Sequence, residues 1–141
     1  MQITRQADYA VRAVYHLSQL EPGERAATSQ IAEEQQIPPS FLAKIVSQLS
    51  VAGLLQTSRG ARGGVSLAKS PEEISLLEVV EAIDGPIMLN VCVSGNGKSC
   101  FFGENCPVAP IWCDAQVELV SRLKESTFDK FITEDATPVA A

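Results

Sequence analysis

Apolar residues recur at helical spacing through the first fifty positions and predict three helices. After Thr4, which can cap a helix, small and branched apolar residues recur every three or four positions until Pro22–Gly23 ends the run. Thr28 is the next predicted N-cap, and it precedes a short second helix. A third helix is predicted between Pro39 and Gly53, because proline is favoured in a first turn and glycine just past a last one.

The period changes from helical to alternating after residue 53. Residues 54–58 and 65–67 are predicted strands, and residues 59–64 between them form a turn rich in glycine and arginine. Three helices followed by a hairpin predict a winged helix-turn-helix. The expected fold class is therefore mainly α with a small β-hairpin wing.

The second half of the chain predicts a fourth helix, a loop and a long helix. Ser75 and Glu78 form a capping box for the fourth helix. A long helix over about residues 107–124 follows the loop, and Thr127 begins a short last turn. The predicted divisions are a winged helix-turn-helix domain (1–86), a cysteine-bearing loop (87–107), a long helix with its terminal turn (108–132) and a disordered tail (133–141).

Charge is distributed unevenly along the chain. The net charge of −6 argues against a nucleic-acid partner at first sight. However, residues 1–70 hold seven Lys/Arg against five Asp/Glu, whereas residues 71–141 hold four against twelve. This asymmetry favours a mildly basic, DNA-facing half joined to an acidic remainder.

Hydropathy argues for a cytoplasmic protein. No apolar run approaches the length of a membrane span, and the polar N-terminus lacks the apolar core of a secretory signal. Thiols stay reduced in the cytoplasm, so the four cysteines indicate metal ligands or reactive thiols before disulfides.

The third helix, the hairpin and the start of the second helix carry the candidate contacts to double-stranded DNA. The second helix of a helix-turn-helix lays its N-terminal residues on base edges in the major groove, and an arginine on a thin loop can enter the minor groove. The alternative is that Lys44 is merely solvated and the hairpin only completes the fold. The predicted DNA contacts are Thr28, Ser40, Lys44, Ser47, Gln48, Arg59 and Arg62.

Three cysteines, Cys92, Cys100 and Cys106, share one loop, with gaps of seven and then five residues between them. Structural zinc sites usually use close cysteine pairs, and none occurs here. Three thiolates on a wide, glycine-bearing loop suit an iron–sulfur cluster. Zinc, redox-active thiols and unrelated buried cysteines remain alternatives at this point.

A cluster held by three cysteines needs a fourth ligand or an open iron. His16, the only histidine, lies inside the first helix and is interpreted as an ordinary packed or surface residue. Cys113 is interpreted as a core or dimer-seam residue, although it stays a candidate ligand. Asp8 is the remaining candidate, and spacing alone would not select it.

Several segments of residues 1–132 resemble the Rrf2 family of bacterial winged-helix regulators, which includes IscR-like and NsrR-like members. The matching segments are the opening Met-Gln-Ile-Thr, Asp8–Ala13, Ile37–Leu42 with Ile45 and Leu49, Gly53–Leu55, Ser58–Gly64, Leu77–Asp84 and the three-cysteine loop.

The resemblance implies a homodimer whose long C-terminal helices cross and whose wings and recognition helices read a near-palindromic operator. It also implies that the three loop cysteines ligate an iron–sulfur cluster, with 4Fe–4S favoured and 2Fe–2S as the alternative. The IscR-like pattern has a histidine three residues after the last cysteine, where this chain has Ala109. NsrR-like members share Asp8, which there reaches the partner subunit's cluster, and this favours Asp8 as the fourth ligand. The competing interpretation of Asp8 is a first-turn acid stabilised by the helix dipole.

The expected function is that of a cluster-dependent DNA-binding transcription regulator, a repressor that senses nitric oxide, redox state or cluster status. One alternative keeps the fold without the cluster, under control by thiol oxidation or a partner protein. Another is an iron–sulfur carrier. An enzyme is not expected, since the sequence has no phosphate-binding glycine loop, no H-E-x-x-H and no nucleophile paired with its single histidine.

Overall fold

The computed structural model describes residues 2–61, 63–90 and 105–132. Within these ranges the chain forms five α-helices and one antiparallel hairpin, so the predicted winged helix-turn-helix with a long C-terminal helix is confirmed. The elements are α1 (Arg5–Ser18), α2 (Thr28–Gln35), α3 (Pro39–Val51), β1 (Leu55–Ser58), β2 (Gly64–Leu67), α4 (Leu76–Asp84) and α5 (Ala109–Glu125). Short 3₁₀ turns at Pro71–Glu73 and Phe128–Phe131 precede α4 and follow α5.

Two of the three predicted helix caps are confirmed. The Thr4 hydroxyl accepts from the Ala7 N–H at 3.1 Å, and the Ser75 hydroxyl accepts from the Glu78 N–H at 3.2 Å. Thr28 as an N-cap is wrong: it is the first residue of α2, and the cap position is Ala27, which makes no side-chain cap hydrogen bond. The preceding residue, Ala26, pairs with β2, so the chain turns into the helix one residue earlier than its sequence indicates.

The wing is anchored at its base by this extra pairing. The hairpin register places Leu55 opposite Leu67 and Ser58 opposite Gly64. Ala26 and Val65 exchange two backbone hydrogen bonds, of 2.9 and 2.8 Å, which add a one-residue third strand. Gly64 permits this approach, because a Cβ there would lie 2.6 Å from the Ala26 carbonyl oxygen.

Two apolar clusters hold the helices together. The central core joins α1, α2, α3, the wing and α4; its largest fully buried side chains are Phe128, Ile31, Leu42, Ile45, Leu49, Leu54, Ile74, Val14, Val65 and Val79. The basal cluster consists of Ala7, Leu77, Val80 and Ile87, with Leu119, Val120 and Leu123 of α5 packed against it.

Helix α1 belongs to both clusters, because Ala7 faces the basal cluster while Ala10 and Ala13 face the central core. A second tie connects its start to the end of α4, where the Thr4 backbone N–H and hydroxyl both donate to the Asp84 carboxylate. The start of α1 and the end of α4 are therefore fixed relative to each other.

Most element boundaries lie within two residues of their predicted positions. Helix α1 ends at Ser18, before the predicted stop at Pro22–Gly23. Helix α5 begins at Ala109 and not at residue 107 as predicted, because residues 107–108 form a turn. No helix in the described ranges is long and apolar enough to cross a membrane. The predicted domain divisions stay predictions, and the tail at 133–141 lies outside the described residues.

Candidate DNA interface and cysteine site

Helix α3 presents the polar face expected of a recognition helix. Its buried residues are Leu42, Ile45, Val46 and Leu49, whereas Ser40, Lys44 and Ser47 are exposed. The helix is preceded by a tight turn at Gln36, whose φ of 54° is left-handed. This turn places α2 and α3 in the arrangement of a helix-turn-helix.

Gln48 and Thr28 lie at the margins of this surface. Gln48 is half-buried, and its side-chain oxygen is removed from solvent without a hydrogen-bond partner among the described residues. Thr28 is exposed at the start of α2. Both stay predictions as DNA contacts.

The wing tip places Arg59 in solvent. Gly60, with φ of 104°, turns the chain there, and the Gly63 N–H donates to the Gly60 carbonyl at 2.9 Å. A Cβ on Gly63 would lie 2.3 Å from the Ser58 carbonyl oxygen, so the tight tip requires glycine. Arg62 lies outside the described residues.

Lys44 and Arg59 are available for phosphate contacts. The ion pairs found in the described part of the chain join Arg12 to Asp8, His16 to Glu34 and Lys69 to Glu78. Neither Lys44 nor Arg59 belongs to one of them. A cation without an intramolecular partner loses no ion pair when it binds a nucleic-acid backbone.

Asp8 occupies an exposed position in the first turn of α1. Its carboxylate pairs with Arg12 at 3.1 Å, and about half of each side chain is exposed. The next residue, Tyr9, contacts Phe41 of α3, with ring centroids 6.1 Å apart. Asp8 is therefore adjacent in sequence to a direct contact between α1 and the recognition helix.

Of the candidate cysteine ligands, the structure describes Cys106 and Cys113. Cys106 is a half-buried free thiol just before α5, and its carbonyl accepts from the Ala109 N–H at 3.3 Å. Cys113 is exposed on α5, which excludes the interpretation as a core residue of a single chain. Cys92 and Cys100 lie outside the described residues, and within them no three potential metal ligands lie together.

The side chain of His16, on α1, contacts two residues of α2. Its ring is buried, and Nδ1 lies 3.3 Å from Gln35 Nε2 and 3.4 Å from Glu34 Oε2. Its Nε2 has no hydrogen-bond partner among the described residues. This surrounding agrees with the interpretation of His16 as a packed residue.

The segment leading into the cysteine loop is held by two side chains that the sequence analysis missed. Gln116 of α5 donates from Nε2 to the Ile87 carbonyl and accepts from the Leu89 N–H at 2.9 Å. Glu81 of α4 accepts from the Ile87 N–H at 3.2 Å. No sequence motif marks either residue, because each recognises backbone in a segment without regular structure.

Helix α5 carries apolar side chains that the other described residues leave exposed. None of its residues is fully buried, and Ile111 and Val117 are 65% and 64% exposed. Val108, the residue before α5, and Trp112 are also exposed, and together with Ile111 they lie within about 100° around the helix axis, whereas Val117 faces another direction. Apolar side chains grouped in this way are typical of a surface that contacts another chain.

The fold, the polar face of α3 and the arginine-bearing wing define a winged-helix DNA-binding transcription regulator. Residues 3–134 match the Rrf2 family, described as iron-dependent transcriptional regulators, and the chain belongs to this family. The family consists of regulators and not enzymes, in agreement with the sequence analysis.

Named relatives and solved structures agree with this assignment. The chain is similar to the transcriptional regulator NsrR of Shouchella clausii, with 29% identity over 96% of this chain and 91% of that protein. Its fold is similar to that of CymR, the global cysteine regulator of Bacillus subtilis, with a TM-score of 0.78 at 22% identity over 93% of this chain and 95% of that one. It is also similar to T. potens IscR, with a TM-score of 0.73 at 21% identity over 93% and 85% of the two chains.

Proposed function

We propose that the chain is a homodimeric, iron–sulfur-dependent repressor that senses nitric oxide, redox state or cluster status and binds a near-palindromic operator. The observation that carries the proposal is the half-buried free thiol of Cys106 at the base of α5, at the end of a loop whose start is bonded to the same helix. Membership of a family described as iron-dependent supports it.

The donor set fits an iron–sulfur cluster by its chemistry. Thiolates are the usual ligands of such clusters, and Cys106 is free and partly sheltered. Cys92 follows Leu89 by only three residues, and three residues of extended chain span at most about 11 Å. Cys92, Cys100 and Cys106 would hold the cluster, which would supply a centre reactive toward nitric oxide and oxidants.

Asp8 is the proposed fourth ligand, supplied by the second copy of the chain. Its carboxylate is accessible, and its partner within the chain is Arg12, in an exposed pair that contributes about 1 kcal/mol or less. Exchanging this pair for another ligand would cost little. Because Tyr9 contacts Phe41, a shift of this turn of α1 would reach the recognition helix directly.

The uncovered apolar surface of α5 supports the homodimer. Burying Ile111 and Trp112, which are neighbours near the start of α5, against a second copy would remove two large exposed apolar side chains from water. It would also bring Cys113 to the dimer seam. Sedimentation of an Ile111→Glu variant tests this: we expect monomers, and an unchanged dimer would contradict it.

The decisive experiment combines iron and sulfide analysis with operator binding after anaerobic purification. We expect bound iron and sulfide in the wild type, loss of both in Cys106→Ser, partial loss in Asp8→Ala and no change in the matched control Cys113→Ser. Loaded and stripped wild-type protein should differ in operator affinity by at least tenfold. Equal affinities would refute sensing, and an unaltered cluster in Asp8→Ala would exclude Asp8 as an essential ligand.

A cluster-free regulator controlled by thiol oxidation or a partner protein is the second candidate. The exposed thiol of Cys113 and the similarity in fold to CymR favour it. It predicts a colourless, iron-free protein whose operator binding changes with thiol oxidation and becomes insensitive in Cys113→Ser. An iron–sulfur carrier is disfavoured, because the family consists of DNA-binding regulators.

A further inference from the structure

We infer that Gln116 is a positioning residue that fixes Ile87 and Leu89, at the start of the cysteine loop, on α5, so that a change in the loop is passed to this helix. The inference deepens the proposed function and rests on it for its regulatory consequence. Its structural part, the attachment of Ile87 and Leu89 to α5, stands independently. It is carried by a group of hydrogen bonds that no sequence motif indicates.

The Gln116 carboxamide makes two opposed hydrogen bonds to one short stretch of backbone. Nε2 donates to the Ile87 carbonyl, and Oε1 accepts from the Leu89 N–H at 2.9 Å. A residue in a parallel β-pair likewise donates to one residue of its neighbour and accepts from the residue two positions later. A carboxamide can do this because it carries a donor and an acceptor side by side.

Ile87 is held by both of its backbone groups and by its side chain. Its N–H donates to Glu81 of α4 at 3.2 Å, while its carbonyl accepts from Gln116 of α5. Its side chain is buried in the basal cluster beside Ala7 of α1. Ile87 therefore connects α1, α4 and α5 at the first residue of the cysteine loop.

Gln116 lies between the part of α5 that packs on the basal cluster and the part that is exposed. Leu119, Val120 and Leu123, toward the C-terminus, pack on the basal cluster. Ile111 and Trp112, toward the N-terminus, are exposed. The Gln116 carboxamide thus makes its two hydrogen bonds between the packed and the exposed parts of α5.

The two ends of the loop are consequently tied to one helix. Leu89 is bonded to Gln116, and Cys106 continues into α5 through the Ala109 hydrogen bond. A displacement of residues 87–89 would pull on α5 through Gln116, on α4 through Glu81 and on Ala7 through packing. Without Gln116 the first of these connections is lost, and residues 87–89 are no longer bonded to α5.

Amide hydrogen exchange of the stripped protein tests the structural part. In Gln116→Ala we expect the Leu89 amide to exchange at least tenfold faster than in the wild type. Gln116→Glu keeps an acceptor for the Leu89 N–H but lacks the donor for the Ile87 carbonyl, so its Leu89 amide should stay closer to wild type. Glu118→Ala, a substitution of an exposed residue two positions away, is the matched control and should leave exchange of the Leu89 amide unchanged. Wild-type exchange at Leu89 in Gln116→Ala would overturn the inference.

Operator binding tests the regulatory part. The affinity ratio between loaded and stripped protein should fall at least fivefold in Gln116→Ala at unchanged iron content, and should be retained in Glu118→Ala. A retained ratio in Gln116→Ala would overturn the positioning role. A wild type without iron would instead refute the proposed function, and the exchange measurement would still decide whether Gln116 fixes the segment. Circular dichroism confirms that each variant is folded.

Discussion

Replacing Gly64 by alanine should break the backbone pairing between Ala26 and Val65 that anchors the wing. The new Cβ would lie 2.6 Å from the carbonyl oxygen of Ala26 and 3.1 Å from its carbonyl carbon. Both are backbone atoms, which cannot rotate away as a side chain can. The contact is relieved only if the Ala26 segment and β2 separate.

The cost of that separation follows from what the pairing contains. The two hydrogen bonds between Ala26 and Val65, of 2.9 and 2.8 Å, contribute about 0.5–1.5 kcal/mol each. Ala26 and Val65 are also buried, and partial exposure of their side chains adds about 1 kcal/mol. We therefore expect the free energy of unfolding to fall by about 2–4 kcal/mol, which lowers Tm by roughly 10 °C in a domain of this size.

Urea denaturation followed by circular dichroism measures the effect, with Gly60→Ala as the matched control. Gly60 also lies in the wing, but a Cβ there meets no heavy atom within 4 Å, and its φ of 104° makes alanine strained without a clash. That strain costs about 1–2 kcal/mol. The lower unfolded-state entropy of alanine is common to both variants and cancels between them. If Gly64→Ala lowered the free energy of unfolding by less than about 1 kcal/mol, which is below the contribution of the two hydrogen bonds, the anchoring role of the Ala26 bridge would be refuted.

Three further predictions concern the interface and the helix caps. Lys44→Ala should weaken operator binding and reduce the slope of log affinity against log salt by about one unit, whereas the control Lys69→Ala should leave that slope nearly unchanged. A salt titration measures both slopes. Equal slopes for wild type and Lys44→Ala would exclude a phosphate contact of Lys44. Ser75→Ala should lower the free energy of unfolding by about 1 kcal/mol in urea, because the Glu78 N–H loses its acceptor, and an unchanged midpoint would show that the cap contributes nothing. Phe41→Leu removes the ring contact with Tyr9, so we expect weaker operator binding with a loss of stability below about 1.5 kcal/mol in thermal melts; unchanged binding would show that this contact does not position α3.

The sequence pattern predicts helices such as α3 well because one face of the helix is buried. The apolar residues of α3 face the core and leave Ser40, Lys44 and Ser47 exposed, as the helical spacing indicates. The change to alternation after Gly53 coincides with the start of the hairpin. These features are local, so the sequence pattern carries them.

Contacts between distant segments were not predictable in the same way. Nothing near Thr28 indicates that Ala26 pairs with Val65, yet this pairing displaces the expected cap by one residue. The bonds from Gln116 to Ile87 and Leu89 join positions 29 and 27 residues apart, and the side chain recognises backbone that has no sequence signature. Spacing separates Cys106, in the loop, from Cys113, on the long helix, but only the fold shows that Cys106 is half-buried and that Cys113 is exposed.

Phe128, contributed from beyond the long C-terminal helix, has no exposed surface and packs among the residues of the winged helix. Backbone hydrogen bonds from Phe128 to Ile74 and from Leu76 to Ser126, of 3.0 and 2.9 Å, fasten it there. The winged helix-turn-helix part, residues 1–86, therefore depends on Phe128 to complete its core. A fragment cut at residue 86 would lack one wall of its interior, and a chimaera that grafts this half onto a foreign sensor would need to carry the Phe128 segment with it.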